Sequence, residues 1–280
     1  MTFAYTGKAS AVIESLRPCT SLLVPAVVYI GGLVANASFF SIPLVLAMIS
    51  YFLLAAGSMP LHDYLDREID GIVHPKRAIP SKRVRPIELL ILSFIMFSGG
   101  LIVSFFINIT CFFMVCFTLG FIFLYEYSFK KRGIAGNIVV SFLSAMSFTF
   151  GSSAVGNPFA SIFLSIIAFF LFTGREVLKD VEDVNGDRGL RKTLPMDIGE
   201  KNAAVIGVLF ILAGVIVTPI PYVFDQLGVG YLFSILFVNI LGVYAVIKTL
   251  QDIKHTPKTV SLLRVASALG IFSFFIGIIL

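Results

Sequence analysis

Two short stretches gather the side chains best able to do chemistry: LHDYLDREIDG at 61–71 and LKDVEDVNGDRG at 178–189. Asp63, Asp66 and Asp70 are spaced D-x-x-D-x-x-x-D, and Asp180, Asp183 and Asp187 repeat that spacing. On an α-helix, steps of three and seven keep three carboxylates within about 60° of arc and about 10 Å of axis, so each triplet can form one acidic face. Glu176 extends the second face by another four-residue step, and His62 stands four residues before Asp66 in the first. Like charges stacked in this way repel, more so when partly desolvated, and something cationic must compensate. Hard oxygen ligands on two facing helices suit Mg²⁺, which keeps several waters and bridges protein carboxylates to substrate phosphates. Neither segment has the loop chemistry that calcium would use in an EF-hand. The competing reading is a pair of ordinary solvated loops of mixed charge. Two matched motifs in a chain with only 16 acids argue against it.

Basic residues flank both segments, in HPKRAIPSKRVRP (74–86), YEYSFKKRG (125–133) and GDRGLRKTLP (186–195). Arg grips phosphate oxygens bidentately and Lys acts as a point charge, so acid, metal and base together describe a diphosphate site. Asp66, Asp70, Asp180 and Asp183 are the expected catalytic carboxylates. The expected metal-binding set is His62, Asp63, Asp66, Asp70, Glu176, Asp180, Asp183 and Asp187.

The elements that must position these groups are membrane helices. The 280-residue chain is 58% hydrophobic and 13% charged and contains no Trp, far from an average soluble domain. Apolar runs cover roughly 19–35, 39–61, 86–107, 110–126, 134–155, 159–173, 202–220, 229–247 and 260–280. The expectation is one all-α integral membrane domain over 1–280, with nine transmembrane helices around a central cavity. The acidic stretches would be connecting loops at about 62–86 and 175–201.

All 21 Lys and Arg fall before the first run or in alternate connections, and the other connections hold none. Basic loops stay on the cytoplasmic side, which puts the N-terminus inside, Leu280 outside and both acidic segments at the cytoplasmic face of the cell membrane. The net charge of +5 needs no nucleic acid to explain it, because anionic head groups and topology both account for it. No charged residue lies near the centre of a run, which counts against ion-coupled transport. Cys19, Cys111 and Cys116 lack metal or disulfide spacing and are expected to pack in the core.

These residues resemble the UbiA superfamily of membrane prenyltransferases over most of the chain. HDYLDREID is similar to that family's N-D-x-x-D-x-x-x-D motif, and the second segment is similar to its later Asp-rich motif. LRPCTSLL resembles the first-helix entry with its Arg (Arg17), KRAIPSKR the R-P-I-P-S-G loop, and YEYSFKKRGIAGN the Tyr/Lys/Asn segment. REVLKDVEDVNGDRG followed by KTLP looks most like the archaeal branch that forms digeranylgeranylglyceryl phosphate. His62 stands where the family has Asn, Ala78 and Lys82 replace a Pro and the Gly of the loop, and Lys130 and Lys131 share the place of a single lysine.

The resemblance implies a Mg²⁺-dependent transfer of a geranylgeranyl group from geranylgeranyl diphosphate to the glycerol hydroxyl of geranylgeranylglyceryl phosphate, in archaeal ether-lipid synthesis. Arg17, Arg77, Lys82, Tyr127, Lys130, Lys131, Asn137 and Arg191 would bind substrate. The partners would be a prenyl diphosphate, a lipid acceptor and the surrounding lipids. The alternatives are an aromatic or haem prenyltransferase, which would share both motifs, and a metal-binding transporter or scaffold.

Overall fold

The computed structural model describes residues 7–130, 132–187 and 192–280, the side chains of Asn185 and Asp187 excepted, and contains no strand among them. Ten helices carry the architecture. They are α1 (Lys8–Leu16), α2 (Leu23–Val34), α3 (Ile42–Leu65), α4 (Pro86–Phe105), α5 (Ile109–Leu124), α6 (Ile134–Ala154), α7 (Ile162–Asp187), α8 (Glu200–Val217), α9 (Val229–Gln251) and α10 (Thr256–Ile279). Proline in the first turn begins α3, α4 and α10, where its missing N–H costs nothing. Asn108 caps α5 by accepting from the Cys111 N–H at 2.8 Å, and its amide donates to Ser153 O at 3.0 Å, tying the cap to α6.

Among the described residues, eight helical stretches are long and apolar enough to cross a membrane. The run expected at 159–173 is not among these eight. It forms the apolar first half of α7, a helix of 26 residues whose second half carries the acidic segment. The Asp-rich parts of both segments therefore lie on helices rather than in loops. Residues 61–65 complete α3, a short helix follows at Arg67–Val73, and α7 continues to Asp187. Residues 74–85 of the first segment form an irregular stretch.

Helix α3 packs on α4, α2 on α6, α6 on α7, α7 on α8, and α9 on α10, while α10 also reaches α7 and α2. Two pairs approach backbone to backbone. A Cβ on Gly31 would sit 2.0 Å from Phe148 O, and one on Gly151 would sit 1.9 Å from Val28 O, so α2 and α6 touch only because both residues lack a side chain. Gly174 and Gly207 do the same for α7 and α8, immediately before the acidic half of α7. Small residues at helix contacts suit a membrane, where association relies on close packing and interhelical hydrogen bonds. Ser50 supplies one such bond to Gly100 O at 2.8 Å, and Tyr51 meets Thr118 at 3.1 Å.

The cavity enclosed by α2, α6, α7, α8, α9 and α10 is small, about 60 Å³, and almost wholly apolar, with Val27, Phe148, Ile167, Ile211, Val238 and Phe274 on its walls. Cys111 is buried as expected, but Cys19 and Cys116 face outward on their helices. Gly151→Ala should destabilise the detergent-solubilised protein by about 2 kcal/mol or more, because the new methyl meets backbone rather than a movable side chain. Gly120→Ala, where a Cβ meets nothing within 4 Å, should be neutral or slightly stabilising in the same thermal-unfolding measurement.

Candidate active site

The first acidic segment lies where α3 ends. Pro60 removes one backbone hydrogen bond a turn before Asp63, yet the helical path continues through Asp66 N–H to His62 O and Asp70 N–H to Asp66 O, both at 2.8 Å. Asp63, Asp66 and Asp70 thus keep the helical spacing that puts them on one face. Asp63 and Asp70 are 6% and 4% exposed. Carboxylates this deeply buried are tolerated only with charged or hydrogen-bonding partners.

Each has a cationic partner. Arg17 Nη2 donates to Asp63 Oδ1 at 2.9 Å. Arg77 Nη1 lies 2.6 Å from both Asp70 oxygens. Lys130 Nζ lies 2.8 Å from both Asp66 oxygens and 2.9 Å from Glu126 Oε2. Glu126 Oε1 in turn lies 2.6 Å from His62 Nε2.

Local backbone geometry positions two of the bases. Arg17 precedes Pro18, which disfavours the helical conformation, and it takes a left-handed one (φ 46°) between α1 and the short helix Pro18–Ser21. Lys82 is also left-handed (φ 60°), at the position where the resemblance has Gly. A residue with a Cβ is strained there by about 1–2 kcal/mol. Buried Ala78 and Val84 pack with Ala11 and Leu89 and pin the basic loop against α1. Arg83 adds a link across the same contact, 2.8 Å from Glu14.

The second segment lies along α7. Asp180 is 8% exposed and accepts from Asn137 Nδ2 at 2.9 Å. Glu176 pairs with Arg175 at 2.5 Å and approaches Lys179 at 3.9 Å. Asp183 is half-buried on the same helix. The two segments are bridged by the π-helical turn Tyr125–Phe129, which carries Glu126 and leads to Lys130. Gly136, at the start of α6 and next to Asn137, lies against that turn, where a Cβ would be 2.7 Å from Phe129 O. The sequence of contacts runs from Asp66 through Lys130 and the π turn to Asn137 and Asp180.

The structure therefore engages Arg17, Arg77, Lys130 and Asn137 with the acidic segments and leaves Lys82 exposed on its loop. Tyr127, also expected to bind substrate, is 80% exposed on the π-helical turn. Lys131 and Arg191, and the side chain of Asp187, lie outside the described residues. Glu126 was absent from the expected set although its side chain is only 1% exposed and it joins His62 to Lys130. The available signal was an acid at the end of an apolar run with Lys130 four residues on, the spacing of a helical ion pair.

Among the described residues, no three of His, Cys, Asp and Glu converge to hold a metal. The Nε2 of His62 lies 2.6 Å from Glu126 Oε1. The donor chemistry nonetheless fits Mg²⁺: Asp63, Asp70 and Asp180 are buried oxygen donors. Mg²⁺ needs only one or two carboxylates when substrate phosphates and water complete its shell.

Residues 22–278 match the model of the UbiA prenyltransferase family. A digeranylgeranylglyceryl phosphate synthase of Methanococcus maripaludis is 36% identical over 275 residues, covering 95% of this chain and 97% of that one. A solved structure described as giving insight into digeranylgeranylglyceryl phosphate synthase in membranes superposes with a TM-score of 0.83 at 27% identity, covering 97% of this chain and 99% of that one. A UbiA homologue of Archaeoglobus fulgidus, solved with GPP and Mg²⁺, shares the fold at a TM-score of 0.69 and 19% identity, covering 96% and 100%.

Lys82→Gly should keep or raise thermal stability because it relieves the left-handed backbone, whereas Lys82→Val should lower it by about 1 kcal/mol or more. Equal melting temperatures for the two variants would count against strain at this loop position.

Proposed function

Because this chain belongs to the UbiA prenyltransferase family, we propose that it transfers a geranylgeranyl group from geranylgeranyl diphosphate to the glycerol hydroxyl of geranylgeranylglyceryl phosphate. One observation carries the reading of the site: buried aspartates and phosphate-gripping bases occupy one end of an apolar bundle in contact with one another. The near full-length likeness to digeranylgeranylglyceryl phosphate synthases supports the choice of acceptor.

In this reading α7 crosses the membrane as the ninth span, which its length of about 39 Å allows. The alternating basic connections support an inside N-terminus, an outside Leu280 and a cytoplasmic active site.

Asp63, Asp66 and Asp70 on one side and Asp180 and Asp183 on the other would hold Mg²⁺. When bound, the metal supplies neutralisation of charge on the departing diphosphate. The allylic carbon–oxygen bond of the donor breaks with both electrons leaving on diphosphate. The glycerol oxygen then bonds to that carbon and gives up its proton to the departed diphosphate. Arg17, Arg77 and Lys130 would stabilise the leaving group as its charge develops. The apolar bundle excludes water that would quench the allylic cation. Lys82 and Arg191 would meet the second anion in the site, the phosphate of the acceptor.

Purified protein given Mg²⁺, labelled geranylgeranyl diphosphate and a panel of acceptors should form the diether phosphate, and chelation should abolish it. Asp66→Ala and Asp180→Ala should each lower kcat by about 100-fold or more. Efficient prenylation of 4-hydroxybenzoate or haem, without turnover of the glycerol phosphate ether, would overturn the acceptor assignment. Single cysteines at Gly71 and Gly186, introduced after replacing the outward-facing Cys19 and Cys116, should label from the cytoplasmic side and one at Asn36 from the other.

A further inference from the structure

The first acidic segment is neutralised one cation per carboxylate: Asp63 by Arg17, Asp66 by Lys130 and Asp70 by Arg77. These are also the bases expected to grip the diphosphate, and in this structure each is already engaged with a carboxylate. Lys130 has three N–H donors, and all three are accounted for, by the two Asp66 oxygens and Glu126 Oε2. Arg77 shares one Nη between both oxygens of Asp70. Conversely, the lone pairs that a metal would use on Asp66 and Asp70 face these cations. A base cannot hold its carboxylate and a phosphate with the same protons, nor can a carboxylate oxygen face an ammonium and a metal in one direction.

Resting on the function proposed above, we infer that the site operates by exchange of ionic partners. When a metal and a diphosphate arrive together, Asp66 and Asp70 turn from Lys130 and Arg77 to the metal, and the two released cations move onto the diphosphate. Neither ligand does this well alone. The metal alone must displace an internal cation and leave it without a partner, and the diphosphate alone must strip a cation from a carboxylate and leave that unpaired. Both losses cost free energy where the partners are partly withdrawn from water, Asp70 most of all, and both vanish when the ligands bind as a pair.

Glu126 is the positioning residue of this exchange. It belongs to neither acidic motif, its side chain is 1% exposed, and the π turn and His62 hold it in place. It keeps one link to Lys130 at 2.9 Å while Asp66 supplies the other two. Lys130 can therefore give up Asp66 without becoming an uncompensated buried charge, and it swings about Glu126 rather than leaving the site.

The test uses Mn²⁺ and inorganic pyrophosphate as probes on the purified full chain. Free Mn²⁺ is followed by electron paramagnetic resonance and pyrophosphate by calorimetry. Lys130→Met should bind Mn²⁺ alone at least tenfold more tightly than wild type, and should bind pyrophosphate at saturating Mn²⁺ at least tenfold more weakly. Arg77→Met should show the same crossed pattern, so the test survives if one variant does not fold. Glu126→Gln should weaken Mn²⁺ binding severalfold in the wild-type background, where Lys130 then rests on Asp66 alone, and should change it little in the Lys130→Met background.

A Lys130→Met protein with unaltered Mn²⁺ affinity and weaker pyrophosphate binding makes Lys130 a plain phosphate ligand and overturns the exchange. Tighter Mn²⁺ binding with unaltered pyrophosphate affinity makes it a fixed counter-ion and does the same. Equal weakening by Glu126→Gln in both backgrounds reduces Glu126 to a distant charge and removes its positioning role. In these cases prenyl transfer stands. Wild-type protein that binds neither probe overturns the site itself, and the exchange with it.

Discussion

Burial of negative charge at one end of an apolar bundle is the constraint on which the rest of the structure depends. Asp63, Asp70 and Asp180 are nearly inaccessible, and Glu126 is more enclosed still. A charge in that position is sustained only by a partner of opposite sign or by hydrogen bonds. The fold supplies both. Arg17, Lys130 and Arg77 arrive from three different parts of the chain, and Asn137 from a fourth. The acidic end is consequently a set of tertiary contacts as much as a reaction site. Its ion pairs fasten α3, the basic loop, the π turn and the segment around Arg17 to one another.

The remainder of the bundle holds that end in register. Glycine pairs bring α2 onto α6 and α7 onto α8 at backbone contact, the second pair directly before Glu176 and Asp180. Such contacts leave helices little freedom to slide, so the acidic face of α7 is held against α6 and its Asn137. On the other side, Pro60 and the break at Asp66 let α3 end and resume without losing the three-and-four spacing of its carboxylates. Left-handed backbone at Arg17 and Lys82 shows where the chain accepts local strain to aim or turn a basic segment.

Much of this was legible in the residues. The D-x-x-D-x-x-x-D spacing is informative only on a helix, and Asp63, Asp66 and Asp70 keep it through α3 and the short helix that follows, while Asp180 and Asp183 lie on α7. The apolar runs located the helices because hydropathy responds to composition alone, which also explains the one difficult span. The 159–173 run is short, and α7 extends it with charged residues that composition assigns to a loop. The partners were not legible. Arg17 reaches Asp63 across 46 residues and Lys130 reaches Asp66 across 64, distances over which spacing carries no information. Tyr127 and Glu126 are adjacent in sequence and opposite in fate, because a π turn rotates one outward and the other into the site. The resemblance to the family marked Lys82 as a departure from Gly, but only its φ explains why Gly would be preferred there.

Internal ion pairs hold the acidic end together before any ligand binds. A double-mutant cycle on Asp66 and Lys130, with Asp66→Asn, Lys130→Met and the double variant unfolded in metal-free detergent solution, tests it most directly. The expected coupling energy is about 1–3 kcal/mol, with the double variant more stable than the sum of the single losses implies. Additive effects of the two substitutions would contradict it.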